Sequence, residues 1–102
     1  MAAKILLINF KYTVSGGEYK AMADSLAGEF AKVGGLKWKV WTINETESEA
    51  GGVYFFENEA SLKAFLEGPL AAQVTGHPAL SEFSVKQFDV MDKVTAITRG
   101  PV

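Results

Sequence analysis

The sequence contains no cysteine and one histidine, His77, among its 102 residues. Without cysteine the chain cannot form disulfides, thiolate nucleophiles, iron–sulfur clusters or cysteine-ligated zinc sites. A single histidine also excludes sites that need two imidazoles, such as HExxH zinc enzymes and the two-histidine iron triad. The GxSxG, GxGxxG and GxxxxGK[ST] motifs are absent as well. We therefore predict no metal site and no nucleotide-binding loop.

Long apolar runs and excess positive charge are also lacking. No stretch approaches the roughly 18 apolar residues of a membrane span, and the run at residues 5–8 is too short for a signal peptide. The net charge of -2 and the pI near 5.3 have the wrong sign for binding a phosphate backbone. We expect a soluble, cytoplasmic protein that binds neither membranes nor nucleic acid, with residues 1–102 forming a single domain.

The apolar pattern predicts four strands and two helices in the order βαββαβ. Ser15 and Glu18 have the spacing of a capping box, which predicts the start of the first helix. Strands are predicted at residues 3–10, 36–43, 52–56 and 82–90, and helices at residues 17–32 and 58–74. An acidic hairpin tip is expected at 44–49, a helix interruption at Gly68 and Pro69, and an irregular tail over about 92–102. This order is typical of the ferredoxin-like α+β fold, a four-stranded antiparallel sheet with both helices on one face.

The predicted strands are apolar at both alternating sets of positions, for example Trp38 and Val40 against Trp41 and Ile43. Two helices cover one face only, so the other face would be an exposed apolar patch that monomers seldom tolerate. A second copy of the chain, packed sheet against sheet, would cover it. We therefore expect a homodimer through the sheet face, with an internal cavity in each subunit.

Two segments carry a resemblance to a known family. Residues 35–42 (GLKWKVWT) and 49–56 (EAGGVYFF) resemble the GLxWKxWT…EAGGxYxF pattern of the YdhR-type monooxygenases in the dimeric α+β barrel superfamily. Residues 67–72 depart from the family's His-Thr-Ala-Arg-like segment. The resemblance implies a dimeric α+β barrel that oxygenates a small aromatic molecule with O2 and uses no bound cofactor.

Oxygenation without a cofactor needs a substrate activated by deprotonation, a base or proton relay, and a donor for the developing oxyanion. Asn9, the polar residue of an otherwise apolar strand, has an amide that could bind a substrate oxygen. Tyr54 has a hydroxyl suited to proton relay, and His77 has an imidazole that titrates near neutrality. Each also has a structural interpretation: a strand-end amide, a core tyrosine and a loop imidazole bonded to backbone.

Aromatic side chains are the candidates for binding the substrate. Trp38 and Trp41 lie on opposite faces of one strand, so one of them can line the cavity, together with Phe56. Lys39 shares the face of Trp41, and burying its ammonium beneath the helices would be costly. We therefore expect Trp41 and Lys39 on the dimer side of the sheet, where Lys39 would bind an anionic substrate oxygen or pair with the acidic hairpin.

Three functional hypotheses follow. The first is a cofactor-independent monooxygenase acting on a hydroxylated aromatic or quinol-type molecule. The second is a non-catalytic protein that binds small aromatic or apolar ligands, for which the same cavity suffices. The third is haem degradation, in which Asn9, a tryptophan and His77 would serve.

Overall fold

The four strands form one antiparallel sheet, with helices packed against one side. The computed structural model describes residues 3–102. Its elements are β1 (Lys4–Tyr12), α1 (Gly16–Ala31), β2 (Leu36–Asn44), β3 (Glu49–Phe56), α2 (Glu59–Leu66), α3 (Pro69–Thr75), β4 (Leu80–Asp89) and α4 (Asp92–Ile97). The strands lie in the sheet in the order β2-β3-β1-β4. This arrangement is the expected ferredoxin-like α+β fold. None of the helices in the described part is long and apolar enough to cross a membrane.

One prediction about the helices, the interruption at Gly68 and Pro69, is confirmed, and one, the irregular tail, is not. The second helix divides at Gly68 and Pro69 into α2 and α3, because proline suits the first turn of a new helix. The tail, predicted to be irregular, contains the short helix α4. Six residues are too few to show helical periodicity, and Val94 and Ile97 of this helix remain exposed.

Side-chain caps fix where α1 and α2 begin. The Glu18 amide donates to the Ser15 hydroxyl over 3.1 Å, and the Ser15 amide donates to the Glu18 carboxylate over 3.3 Å. This is the predicted capping box. The Ser61 amide donates to the Asn58 side-chain oxygen over 2.8 Å. The caps place the apolar stripes of both helices against the sheet.

The two faces of the sheet have different surroundings. The helix face, which α1, α2 and α3 cover, contains alternate residues of β1, and all of these are buried: Leu6, Ile8, Phe10 and Tyr12. The outer face contains the residues of β1 that alternate with these four, together with the residues that pair with them on the other strands. On this outer face Val40 and Phe88 are 54% and 48% exposed. The main hydrophobic cluster therefore lies between the helix face and the helices, and on the outer face Phe55 is also buried, at 7% exposure.

Candidate active site

The amine of Lys39 lies among three aromatic rings on the helix face. Its Nζ atom is 3.2 Å from the ring centre of Trp41, 3.5 Å from that of Phe30 and 4.6 Å from that of Tyr54. Trp41 and Tyr54 come from β2 and β3, and Phe30 comes from α1. The rings also touch one another, with Phe30 and Trp41 edge to face at 5.1 Å. We call Lys39, Phe30, Trp41 and Tyr54 the lysine cage.

Glycine on the neighbouring strand makes room for this lysine. Gly52 pairs with Trp41 across the β2–β3 ladder. A Cβ atom at Gly52 would lie 2.8 Å from Cε of Lys39 and 3.2 Å from a ring carbon of Tyr54. Any side chain there would displace the lysine or the tyrosine. The glycine pair in the EAGGVYFF segment is therefore the sequence signal that could have located the cage.

Burial changes the protonation of the cage residues. The ring faces favour a charged amine, whereas the loss of water around Nζ disfavours it, and no described carboxylate forms an ion pair with Lys39. Burial thus lowers the pKa of Lys39 to about 7. Burial, with a smaller contribution from Tyr19, raises the pKa of Tyr54 well above its usual value. At neutral pH the site therefore contains a partly neutral amine beside a protonated phenol.

Three cavities meet at Trp41. The inner recess, about 30 Å³, lies between α1 and the sheet and is bordered by Lys39, Tyr54 and Tyr19. The hairpin-end cleft, about 250 Å³, opens beside Trp41 towards Ile43. The lysine-side cleft, about 370 Å³, opens on the other side of Trp41 and reaches Lys39 along the small side chains of Ala27 and Ala31. Lys39 therefore borders a cleft that opens to the surface between α1 and the edge strand β2.

The structure brings together three of the predicted site residues: Lys39, Trp41 and Tyr54. Their face, however, is the opposite of the one expected for Lys39 and Trp41, which lie under α1 and not on the outer face. The expectation rested on the cost of burying an ammonium. That cost falls when the amine is neutral and surrounded by rings.

Trp38 and Phe56 do not take part in the cage. The ring of Trp38 stacks on Phe55 on the outer face at 5.4 Å, and its indole N–H donates to the Pro101 carbonyl over 2.8 Å. Phe56 is on the helix face but is 0% exposed, packed in the core against Phe65. A substrate cannot reach a side chain with no free surface, so the structure is against a binding role for Phe56.

Asn9 and His77 lie away from the cage. Asn9 pairs with Gly51, three residues from Tyr54, and this odd offset places Asn9 and Tyr54 on opposite faces of the sheet. The Asn9 amide donates to the Glu49 carboxylate over 2.7 Å. His77, in the loop before β4, accepts a hydrogen bond at Nδ1 from the Ala79 amide over 3.1 Å. The structure thus separates Asn9 from Tyr54, contrary to a shared site, and gives His77 a bond to the backbone.

No group of His, Asp and Glu side chains within residues 3–102 is arranged to hold a metal ion. The chemistry that this arrangement can support is proton transfer. A neutral amine can accept a proton, and a buried phenol can donate a hydrogen bond to an anion.

A comparison with protein families identifies the chain. The model of the family described as "Putative mono-oxygenase ydhR" matches residues 5–101. The chain belongs to this family. The match covers both segments that carry the resemblance in the sequence, and no curated protein matches significantly.

Solved structures with the same fold have different described activities. SnoaB from Streptomyces nogalater, a cofactor-independent oxygenase, is 14% identical with a TM-score of 0.73, covering 92% of this YdhR-family chain and 98% of its own. MhuD from Mycobacterium tuberculosis, a haem degrader, is 20% identical with a TM-score of 0.66, covering 85% and 95%. A dimeric ferredoxin-like protein of unknown function from Thermobifida fusca is 18% identical with a TM-score of 0.68, covering 87% and 92%. At these identities the likeness establishes the fold alone, and function must be argued from the site.

Proposed function

We propose that this chain is a monooxygenase that oxidises a hydroxylated aromatic or quinol-type molecule with O2, without a bound cofactor. Membership of the YdhR family supports the reaction class. The observation that carries the proposal is the Lys39 amine, held in an aromatic cage and reachable through the lysine-side cleft. We assign Lys39 as the base and Tyr54 as the hydrogen-bond donor.

The cavities suit the two substrates in size and polarity. An aromatic ring in the lysine-side cleft would contact Trp41 and the Ala27 and Ala31 side chains, with its hydroxyl directed at Nζ of Lys39. The inner recess, at about 30 Å³, has room for two water-sized molecules or for O2. O2 in the recess would lie beside the Tyr54 hydroxyl and close to the substrate ring.

The proposed reaction starts with proton transfer from the phenol to the neutral amine of Lys39. The phenolate gives electrons to O2, and a carbon–oxygen bond forms at an activated ring carbon. The resulting peroxide takes the proton back from Lys39, and loss of water leaves a carbonyl group. One oxygen atom enters the product and the other leaves as water, and the substrate C–H and O–H bonds supply all four electrons.

The proposal includes a homodimer formed through the outer face. Val40 and Phe88 are about half exposed there, and Ile5, Leu7 and Val53 extend the apolar surface between them. A second sheet would remove this surface from water. The Thermobifida fusca protein of the same fold is described as dimeric, which supports this arrangement.

The test is O2 uptake by the purified protein with anthrone-like, naphthol and hydroquinone substrates, with no flavin, metal or haem added. We expect uptake above autoxidation. Lys39→Met should lower it by about 100-fold or more, since general-base catalysis contributes on the order of 10²–10⁴, and Tyr54→Phe should lower it less.

The matched control is Lys63→Met, which removes an exposed lysine of α2 and should leave uptake unchanged. Uptake no greater than autoxidation would contradict the proposal. If the same compounds still raised the melting temperature, the result would favour the alternative, a non-catalytic protein that binds small aromatic ligands.

A further inference from the structure

Lys39 differs from the other lysines in what surrounds its amine. Within the described residues, five lysines have a carboxylate within 4.0 Å (Lys4, Lys11, Lys20, Lys32 and Lys37), and the three others without an ion pair, Lys63, Lys86 and Lys93, are exposed. Lys39 has three ring faces and no ion pair in the same part of the chain. An amine without an acidic partner has no group that holds it in the ammonium form.

We infer that Lys39 is a carbonyl-reactive amine, which forms imines with aromatic aldehydes that enter the lysine-side cleft. The inference concerns an activity that needs neither O2 nor a phenolic substrate. It therefore goes beyond the proposed oxygenation, although it uses the same side chain.

The chemistry is a reversible condensation that needs no oxidant or reductant. The neutral Nζ adds its electron pair to the carbonyl carbon, and a proton moves from nitrogen to oxygen to give a carbinolamine. Loss of water then leaves a carbon–nitrogen double bond, so one amine and one aldehyde yield one imine and one water. Protonation of the imine gives an iminium cation.

The lysine cage and the cleft favour this reaction in two ways. Ala27 and Ala31 leave a cleft of about 370 Å³ beside the amine, open to the surface and bordered by the rings of Trp41 and Phe30. An aromatic aldehyde can pack against these rings while its carbonyl carbon reaches Nζ. The same ring faces stabilise the iminium cation, because cations are attracted to aromatic faces.

The protonation state of the Lys39 amine also favours imine formation. Because burial lowers the pKa of Lys39 to about 7, about half of the amine is neutral at pH 7. An exposed lysine with an ordinary pKa near 10.4 is neutral in roughly one molecule in a few thousand at that pH. The reactive form is therefore concentrated at one position of the chain.

The experiment traps the imine as a stable secondary amine. The full chain is incubated at pH 7 with benzaldehyde and sodium cyanoborohydride, without O2, and the benzylated lysines are located by peptide mass mapping. We expect Lys39 to be labelled at least about tenfold faster than Lys63, an exposed lysine of α2.

Two variants and a pH series complete the test. Lys39→Arg should abolish the fast labelling, whereas Lys63→Arg should leave it intact. Labelling of Lys39 should level off above about pH 7, while that of Lys63 keeps rising. Labelling of Lys39 no faster than that of Lys63 would overturn the inference. Because O2 uptake is a separate measurement, each proposal can fail without the other.

Discussion

The two faces of the sheet receive alternate residues of the same strands and give them opposite surroundings. On β2, Lys39 and Trp41 lie beneath α1, while Trp38 and Val40 lie on the outer face. Polarity alone does not decide this division. A lysine is enclosed on the helix face, whereas a valine remains 54% exposed on the outer one.

The comparison shows that a charged residue type can occupy an enclosed position when its neighbours change its protonation. Aromatic rings surround Lys39 where ion pairs surround other lysines, so its amine can lose its proton near neutral pH. Exposed apolar residues on the outer face, in contrast, call for a partner surface. We therefore propose the helix face as the face of the chemistry and the outer face as the face of assembly.

The largest expected effect is a difference between the two faces in how much a core substitution lowers the free energy of unfolding. Phe56→Ala on the helix face should cost about 3–5 kcal/mol of unfolding free energy, because it leaves a cavity in a fully buried core. Phe55→Ala should cost less, since this ring, although only 7% exposed, lies outside the core cluster and stacks on Trp38 on the outer face. Urea unfolding measures both.

The Phe56→Leu variant replaces Phe56→Ala in this measurement if Phe56→Ala fails to fold, because leucine keeps most of the buried volume. We expect its cost to lie between those of the other two variants. Equal losses for Phe55→Ala and Phe56→Ala would contradict the contrast between the faces.

An intermediate effect concerns assembly. Phe88→Lys should weaken the proposed dimer by on the order of 2–4 kcal/mol, because it places an unpaired charge in the apolar contact. The matched control is Val85→Lys, since Val85 is similarly exposed, at 44%, but lies on the helix face. Light scattering across a concentration series reports the mass. A wild-type monomer, or the same loss in both variants, would be evidence against an outer-face dimer.

Most of the fold could be predicted from local patterns. Short apolar runs rich in β-branched and aromatic residues located the strands, and the capping box at Ser15 and Glu18 located the start of α1. The glycine and proline at 68 and 69 located the break between α2 and α3. These signals lie within a few residues of the features they produce, so a single sequence contains them.

The site was less predictable because it depends on pairing between strands. The register of β1 on β3 offsets Asn9 from Tyr54 by three residues, and the pattern of one strand does not determine that offset. The face of the sheet on which Lys39 lies was predicted from the cost of burying a charge. That argument failed because burial beneath residues distant in sequence lowers the pKa of the amine.

The smallest expected effect is a pH dependence of stability that originates at Lys39. The pKa of this lysine is about 7 in the folded chain and 10.5 when it is exposed in the unfolded chain. Between these pH values the unfolded chain binds the additional proton, so stability should rise with pH. The rise is at most about 1.4 kcal/mol per pH unit. Above about pH 10 the trend should reverse, since burial keeps Tyr54 protonated while an unfolded tyrosine ionises.

Urea unfolding at pH 7 and pH 9 tests this linkage, with Lys39→Met as the variant that cannot titrate. The wild type should gain stability between the two pH values, and the variant should lose that gain. The matched control Lys63→Met, which removes an exposed lysine, should keep it. The same pH dependence in the wild type and Lys39→Met would mean that the caged amine stays charged. In that case the helix face would hold an ammonium stabilised by its rings, and both the base and the imine assignments would lose their chemical basis.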